Sequence, residues 1–204
     1  MGCCQGKDQY ESKEPFVRKI AIVGNSGAGK TCLIHRYIHD EFDENTTQEF
    51  IPTALKMEEK AQSIGSGKEV ILNIYDTGGQ ETFRHLRKLN YPKSDAAIIC
   101  FGLDSEESLK DVDKNWVPEM RRICPGIPLL LAGLKKDLRD YRVYSDKCLP
   151  ESSGHKMAKK HKMVGYIECS SWNSENVEQV FFKMAEAAAK KKNTKKVDAS
   201  EFGS

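Results

Sequence analysis

Ile20-Ala21-Ile22-Val23-Gly24-Asn25-Ser26-Gly27-Ala28-Gly29-Lys30-Thr31 carries an apolar run directly into a glycine-rich loop that closes on Lys-Thr. The stretch reads as a strand turning through that loop into a helix. Glycines let consecutive backbone N–H groups point inward at a polyanion, Lys30 reaches its terminal phosphates, and Thr31 offers a hydroxyl to a magnesium ion. The ligand these residues predict is a nucleoside triphosphate with Mg2+.

Outward from this loop, apolar runs recur at Glu69–Tyr75, Ala96–Leu103, Ile127–Ala132 and Gly165–Cys169, and Phe16–Val23 is the first of the series. Helical patterns lie between them. Such alternation predicts an α/β fold with a mostly parallel sheet and helices on both faces. Thr53–Ile64 leads through Gly65-Ser66-Gly67 into Glu69–Tyr75, which predicts a hairpin and one antiparallel edge, for six strands in all. Asp104 with Glu107 has the form of a capping box, opening a helix that carries Trp116 and then Pro118, where a kink is expected. Val177, Val180, Phe181, Met184, Ala185 and Ala188 keep helical spacing and form one buried face, with Ser174 as the expected cap.

The chain has 204 residues, 39% hydrophobic and 30% charged, enough for one domain with a core and short tails. A net charge of +2 argues against a nucleic-acid partner. Seven cysteines show neither a paired metal-ligand spacing nor a disulfide framework, which fits a reducing, cytoplasmic setting. No apolar run approaches the roughly 18 residues of a membrane span.

A second signal follows the strand at Glu69–Tyr75: Asp76-Thr77-Gly78-Gly79-Gln80-Glu81. A carboxylate at the end of a buried strand beside a phosphate loop can hold magnesium through its water shell, and Gly79 lets its N–H approach a γ-phosphate. Gln80 is then placed to orient an attacking water.

With these motifs the chain resembles the small GTPases of the Ras superfamily, over about residues 16 to 190. Gly29-Lys30-Thr31-Cys32, Pro52-Thr53, Asn115-Trp116-Val117-Pro118-Glu119 through Lys136-Asp137-Leu138-Arg139, and Gly165-Tyr166-Ile167-Glu168-Cys169-Ser170 narrow the resemblance to the Rho family. It implies the P-loop small-GTPase fold and a guanine-nucleotide switch that hydrolyses GTP. Ser26, Gly27, Ala28, Gly29, Lys30, Thr31 and Cys32 would then line the phosphates. Thr31 and Thr53 would sit on magnesium with Asp76 in its outer shell, Gln80 would be the catalytic residue, and Phe42 would pack against the nucleotide. Asp137 would accept from the guanine N1–H and 2-amino groups, Lys135 would lie along the base, and the Ser171 N–H would meet O6, with Ser170 and Trp172 flanking it. Effectors, exchange factors and activating proteins are the partners the family implies.

Four departures bear on function. Ser26 stands where most members carry glycine, so its CH₂OH should slow hydrolysis more than binding. Leu134 replaces the usual Asn or Thr before Lys135 and predicts faster GDP release. The stretch from Phe42 to Thr53, with Asp43-Glu44-Asn45-Thr46-Thr47-Gln48-Glu49, exceeds the family spacing, which leaves the place at the base open between Phe42 and another residue. The segment around Tyr141–Pro150 reads as a truncated insert.

The sequence divides into an N-terminal tail over 1–15, a GTPase domain over 16–189 and a basic tail over 190–204. Met1-Gly2-Cys3-Cys4 offers Gly2 for myristoylation and Cys3 and Cys4 for palmitoylation. Lys190, Lys191, Lys192, Lys195 and Lys196 would add attraction to an anionic membrane surface. The expectation is a switch held on the cytoplasmic face of a membrane, or else a hydrolysis-deficient binding module with the same fold.

Overall fold

The computed structural model describes residues 16–42, 55–65, 67–77, 84–141 and 146–190. Strands β1 (Phe16–Gly24), β2 (Leu55–Ile64), β3 (Lys68–Thr77), β4 (Ala96–Gly102), β5 (Leu129–Leu134) and β6 (Gly165–Glu168) form one sheet in the order β2-β3-β1-β4-β5-β6. All neighbours are parallel except β2 and β3, which pair antiparallel. The sheet class and the antiparallel edge follow the sequence expectation. Gly67 closes the hairpin at φ 68°, and its N–H donates to the Ile64 carbonyl at 3.0 Å.

Every residue of β4 and of β5 is buried, because both faces of the central strands are covered. The pleat sorts their side chains. Ile20, Ile22, Ile98, Cys100, Leu130 and Leu134 meet Leu33 and Tyr37 of helix α1 (Lys30–His39) and Val180, Phe181 and Met184 of the last helix, α6 (Val177–Ala189). Val23, Ile99, Phe101, Leu129 and Leu131 face the other way. They meet Trp116, Val117 and Met120 of the helical segment after β4, and Ala158 of α5 (Glu151–Lys160). Each buried Leu, Ile or Phe contributes about 1.5–3 kcal/mol, so neither face is expendable.

The helical segment after β4 differs from the expectation in its start and its interior. α3 (Glu106–Asp111) is capped by Ser105, whose hydroxyl accepts from the Ser108 N–H at 3.1 Å. Asp104 lies one residue too early and pairs with Lys135 instead. The helix then widens into a π-helical turn, Val112–Trp116, before α4 (Val117–Ile123). Pro118 has no N–H and its ring crowds the carbonyl four residues back, at Lys114, so the widened turn relieves the conflict where a kink was expected. Helix α2 (Arg84–Asn90) precedes β4. At α6 the six expected core positions are buried, but the cap differs: Asn176 occupies it at φ 60° without a side-chain cap bond, and Ser174 contributes only its carbonyl.

Residues 142–145 of the expected insert lie outside the described residues; 146–150 are irregular up to Glu151. Among the described residues no helix is long and apolar enough to cross a membrane.

Candidate functional site

The chain order reverses around β1: the connection through α1 leads to the β2–β3 hairpin on one side, while β4 flanks the other. Crevices at the carboxyl ends of strands beside such a reversal are where open α/β sheets bind ligands. The loop Gly24–Gly29 lies there. Gly24 has φ 145°, and a Cβ on it would stand 2.1 Å from the Cys100 carbonyl oxygen at the end of β4, so only glycine permits this approach. Gly29, at φ 102°, forms the N-cap of α1. Ala28 is buried, whereas Ser26 and Gly27 are exposed at the loop's crest.

Lys30 is buried at the root of the loop, and its ammonium donates to the carbonyls of Gly24 at 2.9 Å and Asn25 at 2.8 Å. Burial pushes its pKa down, and the nearby Asp76 carboxylate offsets part of that shift. A polyphosphate arriving at the crest would restore the favourable field for the charged form. Thr31, the second residue of α1, donates its hydroxyl to Asp76 Oδ2 at 2.7 Å. Asp76 is the penultimate residue of β3 and is 2% exposed. Cys32 follows on the same turn of α1.

A hydroxyl and a carboxylate in contact beside a phosphate-loop lysine suit a hard cation. Magnesium typically takes one or two protein oxygens and completes its shell with water and substrate phosphate. Thr31 and Asp76 would hold it, and it would draw charge from the phosphoryl oxygens. Among the described residues there is no cluster of three His, Cys, Asp or Glu that would form a cage without a phosphate. Thr53, Gly79 and Gln80 lie outside the described residues.

The base end is built by β5, β6 and the turns after them. Lys135, at φ 68°, leads into a short 3₁₀ turn, Lys136–Arg139, that presents Asp137. Ser170, fully buried, donates its hydroxyl to Asp137 Oδ1 at 2.5 Å and accepts from the Trp172 N–H at 3.1 Å. This fixes the carboxylate against the 170–172 turn. The Lys136 N–H donates to the Cys169 carbonyl at 3.1 Å, and Lys136 also pairs with Glu175. Behind the turn Arg139 grips Glu168 with two bonds, Nε to Oε2 at 3.1 Å and Nη2 to Oε1 at 2.7 Å. Lys135 itself extends to Asp104 Oδ2 at 2.9 Å, a partner the sequence reading did not anticipate.

Two further residues bind the ends of the site together. Arg36, on α1, donates through Nε to the Ser171 carbonyl at 2.7 Å and through Nη2 to the Trp172 carbonyl at 2.8 Å. Six residues of helix separate it from Lys30, about 9 Å, so one rigid element spans from the phosphate loop to the base turn. Phe42 sits edge-on to the Trp172 ring, centroids 5.0 Å apart, which places it beside that turn. Leu134 is 2% exposed, and its side chain lies 3.7 Å from where a Gly29 Cβ would stand. The base turn and the phosphate loop are thus joined there by apolar packing.

Asn25 was silent in the sequence yet is the best-anchored residue of the loop. Its Oδ1 accepts from the Trp116 indole N–H at 2.6 Å, and its Nδ2 donates to Asp111 Oδ2 at 2.6 Å. The Arg87 guanidinium of α2 lies over the same indole, 5.0 Å from its centroid, and pairs with Glu119 at 3.8 Å. Trp116 and Glu119 are two of the residues that first suggested kinship, and here they connect α2 to the loop.

The sheet order and the glycine loop at its reversal define a P-loop nucleotide-binding α/β domain of the Ras-like GTPase type. A family model described as the Ras family matches residues 19–190, and the chain belongs to that family. It is accordingly a small GTPase, a GTP- and GDP-binding switch whose family uses Mg2+ with the nucleotide.

Proposed function

We propose that this GTPase is a Rho-type switch with slow hydrolysis, biased toward its GTP form. The observation that carries the reading is the place of Ser26. It lines one groove with Asn25, Arg87, Lys88 and Trp116, so its hydroxymethyl group stands between the phosphate loop and α2. A catalytic Gln80 and an activating protein's arginine have to share that space. Crowding felt mainly in the transition state lowers the hydrolysis rate without equal loss of binding. If the arginine is excluded, the rate forgone is about 10³ to 10⁵. Single-turnover hydrolysis of wild type and Ser26→Gly, each with and without an activating protein, tests it: the glycine variant should respond to the activator and the wild type should not. An equal response sinks the reading.

In this reading Lys30 and the loop N–H groups hold the phosphates, Thr31, Thr53 and Asp76 hold magnesium, and Asp137 with Ser171 selects guanine. Effectors read the segments around Thr53 and Gln80 when the γ-phosphate orders them. Acylation at Gly2, Cys3 and Cys4, with the lysine tail, holds the GTPase domain at the cytoplasmic face of a membrane. Partitioning before and after Gly2→Ala tests the anchor.

A second reading is a scaffold that retains GTP or binds nucleotide weakly. Leu134 favours it, because an apolar contact with Gly29 replaces a polar link at the base. Chromatography of the nucleotide released on denaturing the purified protein separates the two: GDP supports a working switch, GTP or none the scaffold.

A further inference from the structure

At the end of the sheet opposite the phosphate loop, a groove of about 530 Å³ opens between the end of α4, the turns that lead into β5 and β6, and the last two turns of α6. Its floor is apolar, from Ile127, Pro128 and Ala187, and Val164 stands 38% exposed at its edge. Its charge is one-sided. Arg121, Lys162, Lys183 and Lys190 line it against the single carboxylate of Glu186, in a chain whose 32 Lys and Arg are nearly balanced by 30 Asp and Glu.

The cations are arranged for capture. Arg121 is held by the Ile127 carbonyl at 2.9 Å and the His161 carbonyl at 3.5 Å, which fixes the guanidinium plane at the groove wall. The stem of Lys183 lies along Gly165, 3.8 Å from where a Cβ there would stand. Lys162, Lys183 and Lys190 are exposed, and among the described residues their ammonium groups form no ion pair. The Glu186 carboxylate is turned toward Gly65 of the β2–β3 hairpin, 3.4 Å from a Cβ built there.

We propose that this groove is a docking surface for the phosphate-bearing headgroups of an anionic bilayer. Fixed and mobile cations over an apolar floor match a headgroup phosphate above acyl carbons, and lysines extended over apolar surface keep their charge at such a boundary. Position favours a membrane over an acidic peptide. The Arg18 guanidinium, three residues into the described chain, donates to the Ala188 carbonyl at 3.1 Å, and Lys190 lines the groove, so β1 begins where α6 ends. The described chain therefore begins and ends on the groove's side of the molecule, and the nucleotide site faces away from it.

The test uses the unacylated full chain, so that its outcome is separate from that of the N-terminal anchor. Co-sedimentation with phosphatidylcholine vesicles, with and without phosphatidylserine, is compared for wild type, for Lys162→Glu with Lys183→Glu, and for a control of equal charge, Lys110→Glu with Lys156→Glu. Thermal unfolding confirms that each variant is folded. The groove pair should lower binding to the anionic vesicles at least tenfold, and the control less than about threefold. Equal losses from both pairs overturn the proposal. So does a polyglutamate peptide that binds the groove in a chain showing no preference for anionic vesicles, since that assigns the surface to an acidic protein segment.

Discussion

Asn25 uses both ends of its amide at 2.6 Å, so replacing it cannot be neutral. Asn25→Ala removes two bonds and leaves the Trp116 indole N–H without its acceptor, which typically costs about 1–3 kcal/mol. We expect GDP dissociation to accelerate about tenfold, while Asn25→Asp, which keeps the acceptor but meets Asp111, should release GDP at an intermediate rate; a fluorescent-nucleotide chase measures both. Leu134 presents the opposite problem, a buried apolar side chain where the family resemblance leads one to expect Asn or Thr. Leu134→Asn should slow GDP release but lower stability, since about 2–5 kcal/mol goes with the loss of a buried leucine's packing. A release rate unchanged by that substitution would show that the leucine is not what limits retention. At this scale Lys30, Thr31, Asp76 and Asp137 were legible because their chemistry follows from residue type beside a strand end. Asn25 and Arg36 were not, because their partners lie far along the chain and no local pattern announces a side chain that reaches a distant carbonyl or indole.

Elements were legible where the pattern was dense. The runs that became β1, β4 and β5 are apolar on both faces, and α6 keeps its period for three turns, so burial alone specified them. Caps and the helix interior after β4 were harder. Asp104 and Ser105 are both good cap residues, and the choice between them is made by Lys135, which pairs with Asp104 at 2.9 Å. Ser105→Ala should therefore cost about 1 kcal/mol in urea unfolding, whereas Asp104→Ala should cost less, because its ion pair is exposed to solvent. The reverse ranking would restore Asp104 as the cap. The π turn could not be read in advance because Pro118 states only that an ordinary ladder is broken. Whether a helix answers by bending or by widening depends on what its neighbours hold, and here Trp116 is held by Asn25.

In the molecule as a whole, α1 and α6 cover one face of the sheet, and α3, α4 and α5 cover the other. Ligand chemistry is confined to one end and the basic groove to the opposite end. The two halves of the nucleotide site come from turns more than a hundred residues apart in sequence, and Arg36 is the tie between them. Arg36→Ala should loosen the 170–172 turn and weaken guanine nucleotide binding about tenfold to a hundredfold by titration calorimetry, with little change in the melting temperature. A large drop in stability with unchanged affinity would mean that the arginine serves only the fold. The sheet order was within reach of the sequence, since alternating strands and helices leave few allowed connections. The tie between the two halves was not, because Arg36 reaches carbonyls more than a hundred residues away along the chain.

The close approach of Gly24 to β4 has a further consequence for the sulfur of Cys100. With the loop drawn over it the thiol is fully buried, and burial pushes its pKa up to about 12. It is thus inert to alkylating reagents in the native protein. Cys169 shares that face of the sheet and Cys124 lies on the other, both buried. Pulsed thiol labelling read by mass would make these three sulfurs a clock with two hands, timing separately the opening of each side of the sheet.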